Sequence, residues 1–336
     1  MILVTGSNGV LGAAFKNIKN KQFHFLNTRK DLDLCSQEEC QKFFDNNKFE
    51  GIIHLAAISG GFGLSGPKYQ ATLLRNNTIM LFNILDNVVR NKIKKTLVTL
   101  SSGMYPPNAP MPYKESSIHE GAVHENSYGY FYGKRIFEPA VRAYRDQYNL
   151  DIIGCVPNGI FGENDNFSDH APMLPSIIKR MCEAKKNNKK LEVWGDGTPL
   201  REYTYSQDMA NAFLWCFENY SSGNIINVGS NEERSIKDIV YYIAESMNFN
   251  KENIIFDNSK PTGVLKKSMD NNKFLKLSNY KFINLKDGIQ KTVDWYIKFY
   301  EENRNKIREN LKNYNFFIYL IFFLLFFLLN FCLYYS

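Results

Sequence analysis

The residues predict an α/β chain: a doubly wound parallel sheet, a smaller α/β domain after it, and a hydrophobic C-terminal helix. Three observations carry this reading. Short apolar runs recur at Ile2–Thr5, Phe23–Leu26 and residues 51–56, 96–100 and 152–156. Stretches with helical spacing of apolar residues, such as 72–90 and 132–148, lie between them. A glycine-rich turn joins the first run to the first helical stretch. Strands that alternate with helices pair in parallel, with the helices covering both faces of the sheet. The 336 residues are enough for one large or two modest domains, and 44% hydrophobic with 22% charged residues is a globular balance.

The first strand leads directly into Gly6-Ser7-Asn8-Gly9-Val10-Leu11-Gly12. Glycines at a sharp strand-to-helix turn let the backbone approach a pyrophosphate, and free amides at the helix start bind it. The placement after a strand and before a helix is what a Rossmann-type dinucleotide site requires; an ordinary βα turn is the plainer alternative. The second strand ends in Asn27-Thr28-Arg29-Lys30. NAD sites usually place an acid there, on the ribose hydroxyls. Two cations and no acid suit a 2′-phosphate, so the expected cofactor is NADP(H), with Arg29 at the phosphate. A solvated basic turn is the competing reading.

The fourth run closes on Ser101-Ser102, and a later helical stretch carries Tyr130 and Lys134, the chain's single Tyr-x-x-x-Lys. Positions four apart share one face of a helix. An ammonium beside a phenol is expected to lower its pKa from about 10, giving a proton donor or acceptor near neutral pH. Chance alone supplies such a pair in a chain this rich in Tyr and Lys. Its company, the Ser pair and the glycine loop, gives it weight.

Beyond Pro157 the rhythm loosens. A segment rich in Pro, Asn and Asp (162–175) leads into a helix over 176–184, a strand at Leu191–Trp194 and a loop through Gly195-Asp196-Gly197. A capped helix starts at Ser235 and is expected to bury Ile236, Ile239, Val240 and Ile243. Residues 1–160 read as the cofactor-binding domain, 161–314 mainly as the substrate domain and 315–336 as a hydrophobic tail. Residues 316–335 carry no charge, and as a helix they would span about 30 Å, a bilayer core. The basic stretch before them, 286–312, would hold the enzyme on the cytoplasmic side. The tail is therefore a candidate membrane anchor, with an AU-rich read-through end as the alternative.

Several function classes drop out. The net charge of +7 comes with no nucleic-acid-binding motif, so no nucleic-acid partner is expected. Six cysteines without C-x-x-C or metal spacing read as reduced thiols of a cytoplasmic protein. His119-Glu120 and His124-Glu125 lie in a polar, Gly/Pro-flanked stretch and read as surface loop, so no metal site is expected. The first strand begins at residue 2, so no signal peptide is expected.

Over roughly residues 1 to 300 the chain resembles the extended short-chain dehydrogenase/reductases, and within them the GDP-L-fucose synthase family. The resemblance rests on T-G-x-x-G-x-x-G ending at Gly12, His54-Leu55-Ala56-Ala57, Ser101-Ser102-Gly103-Met104-Tyr105-Pro106 and the Tyr130/Lys134 pair. Gly162-Glu163-Asn164-Asp165-Asn166-Phe167 and the run from Val193 through Trp194-Gly195-Asp196-Gly197-Thr198-Pro199-Leu200-Arg201 to Glu202 are its most specific parts. It implies that Tyr130 protonates the sugar O4 as hydride reaches C4, and that Lys134 holds the nicotinamide ribose and tunes Tyr130. It implies that Ser101 polarises the 4-keto oxygen. It adds Leu55, Ala56, Ala57, Pro157, Asn158, Gly159 and Ile160 to the cofactor site. It puts Arg180, Trp194, Arg201 and Lys267 on a GDP-linked keto-sugar, and it implies a homodimer.

The chain departs from that family's pattern where two further protons move. The family's epimerase step uses a Cys and a His; here those positions are Gly103 and Pro172, and neither can exchange a proton. His170 is a nearby substitute for the second. The Asn of the family's Pro-Thr-Asn is displaced in Pro157-Asn158-Gly159, and Thr262 replaces an acid before Gly263. The expected activity is therefore C4 reduction of a GDP-linked 4-keto sugar with the epimerase half missing. The alternatives are a complete bifunctional synthase, a nucleotide-sugar C4 epimerase and a non-catalytic NADPH-binding scaffold. A dehydratase is disfavoured, because Ser102-Gly103 stands where an Asp-Glu pair belongs.

Overall fold

Strand and helix alternate through the first half of the chain, as the apolar runs predict. The order is β1 (Ile2–Thr5), α1 (Val10–Phe15), β2 (Phe23–Leu26), α2 (Gln37–Asn46), β3 (Gly51–His54), α3 (Gln70–Arg90), β4 (Lys95–Thr99), α4 (Tyr128–Arg135), α5 (Phe137–Tyr148) and β5 (Asp151–Pro157). The computed structural model describes residues 1–60, 66–169, 171–260 and 264–300. The later elements are β6 (Gly159–Phe161), α6 (Met173–Lys186), β7 (Leu191–Trp194), β8 (Leu200–Tyr205), α7 (Ser206–Asn219), β9 (Ile226–Val228) and β10 (Glu233–Ser235). Then come α8 (Ile236–Met247), β11 (Ile254–Asp257), β12 (Lys266–Lys267), α9 (Asn272–Ser278) and α10 (Leu285–Trp295).

A parallel six-stranded sheet runs β2-β1-β3-β4-β5-β9. Successive side chains of a strand point to opposite faces. Val4, Ile53, Leu97 and Ile153 accordingly pack on one face with Phe15 of α1 and Met209, Phe213 and Phe217 of α7. Leu3 and Ile52 face the other way, with Phe44 of α2 and Ile84 of α3. Val98 and Ile152 join Leu81, Phe137 and Val141 on that side. Both faces are covered, so the strands read as continuous apolar runs rather than alternating ones.

The chain enters at β1, steps outward to β2, then returns past β1 to β3. This reversal opens a crevice at the carboxyl ends of β1 and β3, where doubly wound sheets bind ligands. β3 stops at His54, two residues earlier than the apolar run suggests. The amide of Ala56 leaves the ladder to donate to Thr5 Oγ1 (3.1 Å). The helical stretch 132–148 is two helices that meet at Ile136, and Tyr130 belongs to the first. The sixth strand, β9, and the helix α7 come from beyond residue 160, so the chain crosses back into the large sheet after it has begun the second unit.

That second unit has its own core, in which Ile177, Ile178 and Met181 of α6 meet Ile239, Val240 and Ile243 of α8 and Ile289 and Val293 of α10. Ser235 caps α8 in a reciprocal box with Asp238, while Ile236 stays half-buried. A π-helical turn, Tyr296–Tyr300, continues α10. The remainder of the basic stretch 286–312 and the apolar tail 316–335 lie outside the described residues. Among the described residues no helix is long and apolar enough to cross a membrane.

Candidate active site

The glycine loop is closed against β3. Gly6 has a left-handed φ of 70°, and a Cβ there would sit 2.7 Å from the Ala56 backbone. A Cβ on Gly12 would lie 2.4 Å from the Gly6 carbonyl oxygen. Only glycine fits either place, and the backbone thereby packs as tightly as a pyrophosphate cradle requires. Ser7 is fully buried and donates to the Leu26 carbonyl (3.0 Å) and to Asn27 Oδ1 (2.9 Å), which ties the loop to the end of β2. Leu55, Ala56 and Ala57 follow β3 at the same crevice and are half-buried. Arg29, beyond β2, pairs its guanidinium with Asp33.

Tyr130, Ser101 and Lys134 converge from α4 and the end of β4, but not with the electrostatics the spacing suggests. Burial pushes the Tyr130 phenol up to about 12, and hydrogen bonds from Ser101 and Ser59 pull in the other direction. Lys134 is 1% exposed and donates Nζ to the Thr99 carbonyl (2.7 Å), lying 4.3 Å from the Phe137 ring centre. Burial brings its pKa down to about 7. The ammonium thus turns toward the sheet, and the neighbours acting on Tyr130 are two hydroxyls. The same burial, with the Lys134 charge, holds His54 neutral at about 3. Ser59, two residues past the Leu55-Ala56-Ala57 run, is not singled out by any motif.

Two residues beyond Ser101, position 103 is filled by a neighbour. A Cβ on Gly103 would lie 1.8 Å from Cε1 of Phe131, and 2.5 Å from two further ring atoms. Phe131 follows Tyr130 on α4, their ring centres 5.6 Å apart. Pro172 is the half-buried N-cap of α6, and His170 lies outside the described residues.

A second cluster faces the same region from β8 and β12. Lys267 is the direct parallel partner of Arg201. Both cations have lowered pKa values from burial, Lys267 to about 8 with the Arg201 charge adding to the effect. They line a cleft of about 180 Å³ with Ser102, Asn158, Gly159, Glu202, Tyr203 and Met269. Two half-buried cations side by side repel, and an anion between them removes that cost. Glu202, also missed from the sequence, is a buried carboxyl that burial pushes up to about 7, and it accepts from the Met269 amide (3.0 Å). Pro157 ends β5 and Ile160 lies in β6, on either side of this cleft's Asn158 and Gly159. Arg180 and Trp194 are not brought into the cleft. The Arg180 guanidinium donates to the Glu192 carbonyl, and Trp194, at the end of β7, is 56% exposed. Among the described residues no group of three or more His, Cys, Asp or Glu is placed to hold a metal.

The profile of the NAD dependent epimerase/dehydratase family matches residues 2–229. A protein of Dictyostelium discoideum named GDP-L-fucose synthase is 33% identical over 312 residues, 90% of this chain and 97% of that protein. The crystal structure of a GDP-L-fucose synthetase from Naegleria fowleri superposes with a TM-score of 0.84 at 32% identity, over 89% of this chain and 94% of that one. The GDP-mannoheptose C4 reductase from Campylobacter jejuni, solved with NADP bound, gives 0.78 at 26% identity, over 88% and 98%.

Proposed function

The chain belongs to the NAD dependent epimerase/dehydratase family, and from that membership we propose that it is an NADP(H)-dependent reductase of the C4 keto group of a GDP-linked sugar, a 6-deoxyhexose or a heptose, without 3,5-epimerase activity. The names carried by its relatives support the nucleotide and the cofactor. The absence of the epimerase step rests on one observation: at position 103 the first carbon of any side chain would strike the Phe131 ring. Gly103 itself carries no proton-transferring group, and Pro172 offers none at the second position.

The bound cofactor supplies a hydride to the sugar C4. Gly6, Ser7, Asn8, Gly9, Val10, Leu11 and Gly12, with Leu55 to Ala57 and Pro157 to Ile160, would form its cradle. Tyr130 is fully protonated at neutral pH, with a pKa of about 12, so it acts as the acid that donates to O4 as charge develops there. Ser101 donates to the same oxygen and polarises the carbonyl. Lys134 holds the nicotinamide ribose and, with a pKa near 7, can return a proton toward Tyr130. Arg201 and Lys267 grip the diphosphate, whose charge offsets their repulsion; Arg180 and Trp194 extend the grip to the nucleotide. Exposed Leu74 on α3, Tyr128 and Tyr132 on α4, and Ile136 where α4 meets α5 support a homodimer through these helices. The tail as a membrane anchor is tested by fractionating the full chain against a chain ending at residue 314.

The decisive assay follows NADPH oxidation with GDP-4-keto-6-deoxymannose in D2O and locates deuterium in the product. Reduction without deuterium at C3 or C5 is the expected result. Deuterium at both carbons would instead establish the complete synthase that the relatives' names favour, with His170 the first candidate for the replacement acid or base.

A further inference from the structure

The helix that carries Tyr130 also grips the segment that carries Ser101, through two consecutive cations. Lys134 donates to the Thr99 carbonyl at the end of β4 (2.7 Å). Arg135 holds the other side of Ser101: its Nε donates to the Met104 carbonyl (2.9 Å), and one terminal nitrogen donates to the same oxygen. The second terminal nitrogen donates to the Gly121 carbonyl (2.7 Å). The anchor points Thr99 and Met104 therefore bracket Ser101. Between them lies a short 3-10 turn, closed by the Met104 amide on the Ser101 carbonyl (3.1 Å), and the Gly103 amide donates to Ser101 Oγ (3.2 Å). Arg135 is 8% exposed, and among the described residues no carboxylate pairs with it. A buried guanidinium met only by carbonyls is a costly way to fill space. Its rigid planar fork is well suited to fixing two backbone segments against one helix.

We propose that Arg135 is a positioning residue: by holding the Met104 carbonyl it sets where the Ser101 hydroxyl stands relative to the Tyr130 phenol, so that both meet one oxygen of the substrate. The contact it maintains is the hydrogen bond between Ser101 and Tyr130. Tyr130 and Arg135 share α4, so the clamp ties the acid and the turn bearing Ser101 to one rigid element. Lys134 does not do this alone, because its three donors are shared with the nicotinamide ribose in the proposed reaction. The Arg135 bonds all stay within the protein. Arg135 touches neither substrate nor cofactor and acts only through Ser101. The inference rests on Ser101 and Tyr130 being the groups that perform the reduction.

The test is a double-mutant cycle on the full-length protein, read by NADPH oxidation with GDP-4-keto-6-deoxymannose and by NADPH titration. Arg135→Met should lower kcat about 3- to 10-fold, the equivalent of one misplaced hydrogen bond. Its NADPH affinity should stay within about twofold, which also shows that the variant is folded. In a Ser101→Ala background the same substitution should cost less than about twofold, because the group it positions is gone. Arg135→Lys keeps the charge but lacks the fork, so its kcat should fall between the parent and Arg135→Met. If Arg135→Met does not fold, Arg135→Lys carries the same cycle. The proposal is overturned if the Arg135 variants keep full kcat. It is equally overturned if their loss is as large without the Ser101 hydroxyl as with it, the result a purely structural role would give. In both cases a lowered kcat in Ser101→Ala leaves the catalytic reading standing. An unchanged kcat in Ser101→Ala would overturn this proposal together with that reading.

Discussion

Two adjoining parts of one cleft are built on opposite principles. Around Tyr130 the lining is polar, with the hydroxyls of Ser101 and Ser59 on the phenol and a buried Lys134 on the same helix. Two residues past Ser101 the lining is apolar and full, with the Phe131 ring in the space a side chain at position 103 would take. A bifunctional enzyme needs proton-transferring groups in both parts. Here the first part carries hydroxyls and the second a packed ring, the contrast on which the proposed C4 reduction without C3/C5 chemistry rests.

The largest expected break in that contrast is Tyr130→Phe. Losing the acid should lower kcat for NADPH oxidation by about 10²- to 10⁴-fold, with NADPH affinity unchanged by titration; a fall below tenfold would remove Tyr130 from the chemistry. Gly103→Cys comes next. Overpacking typically costs about 1–3 kcal/mol, so denaturant unfolding should report a loss of that size, and adding Phe131→Ala should recover most of it. If the single variant is as stable as the parent, the ring is not what closes this position. Ser101→Ala and Ser59→Ala sharpen the polar side. Each removes one hydrogen bond worth about 0.5–1.5 kcal/mol. We expect kcat/KM to fall up to about tenfold, more for Ser101 if it alone meets the keto oxygen. Equal losses would mean that both hydroxyls do.

The smallest effect is in stability against pH. Burial raises the Glu202 carboxyl from 4.5 to about 7. Between those values the folded chain holds a proton that the unfolded chain releases, so this contribution is present below the unfolded pKa and lost as pH rises through about 7. Glu202→Gln keeps an acceptor for the Met269 amide and removes the titration. Its Tm should therefore fall less than the parent's between pH 5 and pH 8, by about 2–4 °C for each kcal/mol removed. Identical pH profiles would show that Glu202 does not carry the proton.

The same divide separates what was legible from what was not. β1, β2 and β7 are found where the apolar runs place them, because a run of apolar residues between polar turns marks a strand by local composition alone. The glycine loop was equally plain, since left-handed Gly6 and contact-tight Gly12 admit no other residue. Ser101, Tyr130 and Lys134 were recognised and do gather at one place, yet the expected lowering of the phenol by the ammonium is not what acts on it. Burial dominates, and burial belongs to the surroundings rather than to the spacing. Ser59 and Glu202 carried no pattern of their own.

By itself, then, the sequence determined the parallel sheet, the dinucleotide loop and the residue types of a reductase, because strand burial, glycine backbone freedom and helical spacing act over a few neighbouring positions. Only the tertiary structure decided that Phe131 occupies the place beside Gly103 and that Lys267 stands next to Arg201. Those are contacts between segments far apart along the chain, and excluded volume, charge repulsion and hydrogen bonding act on distance in space.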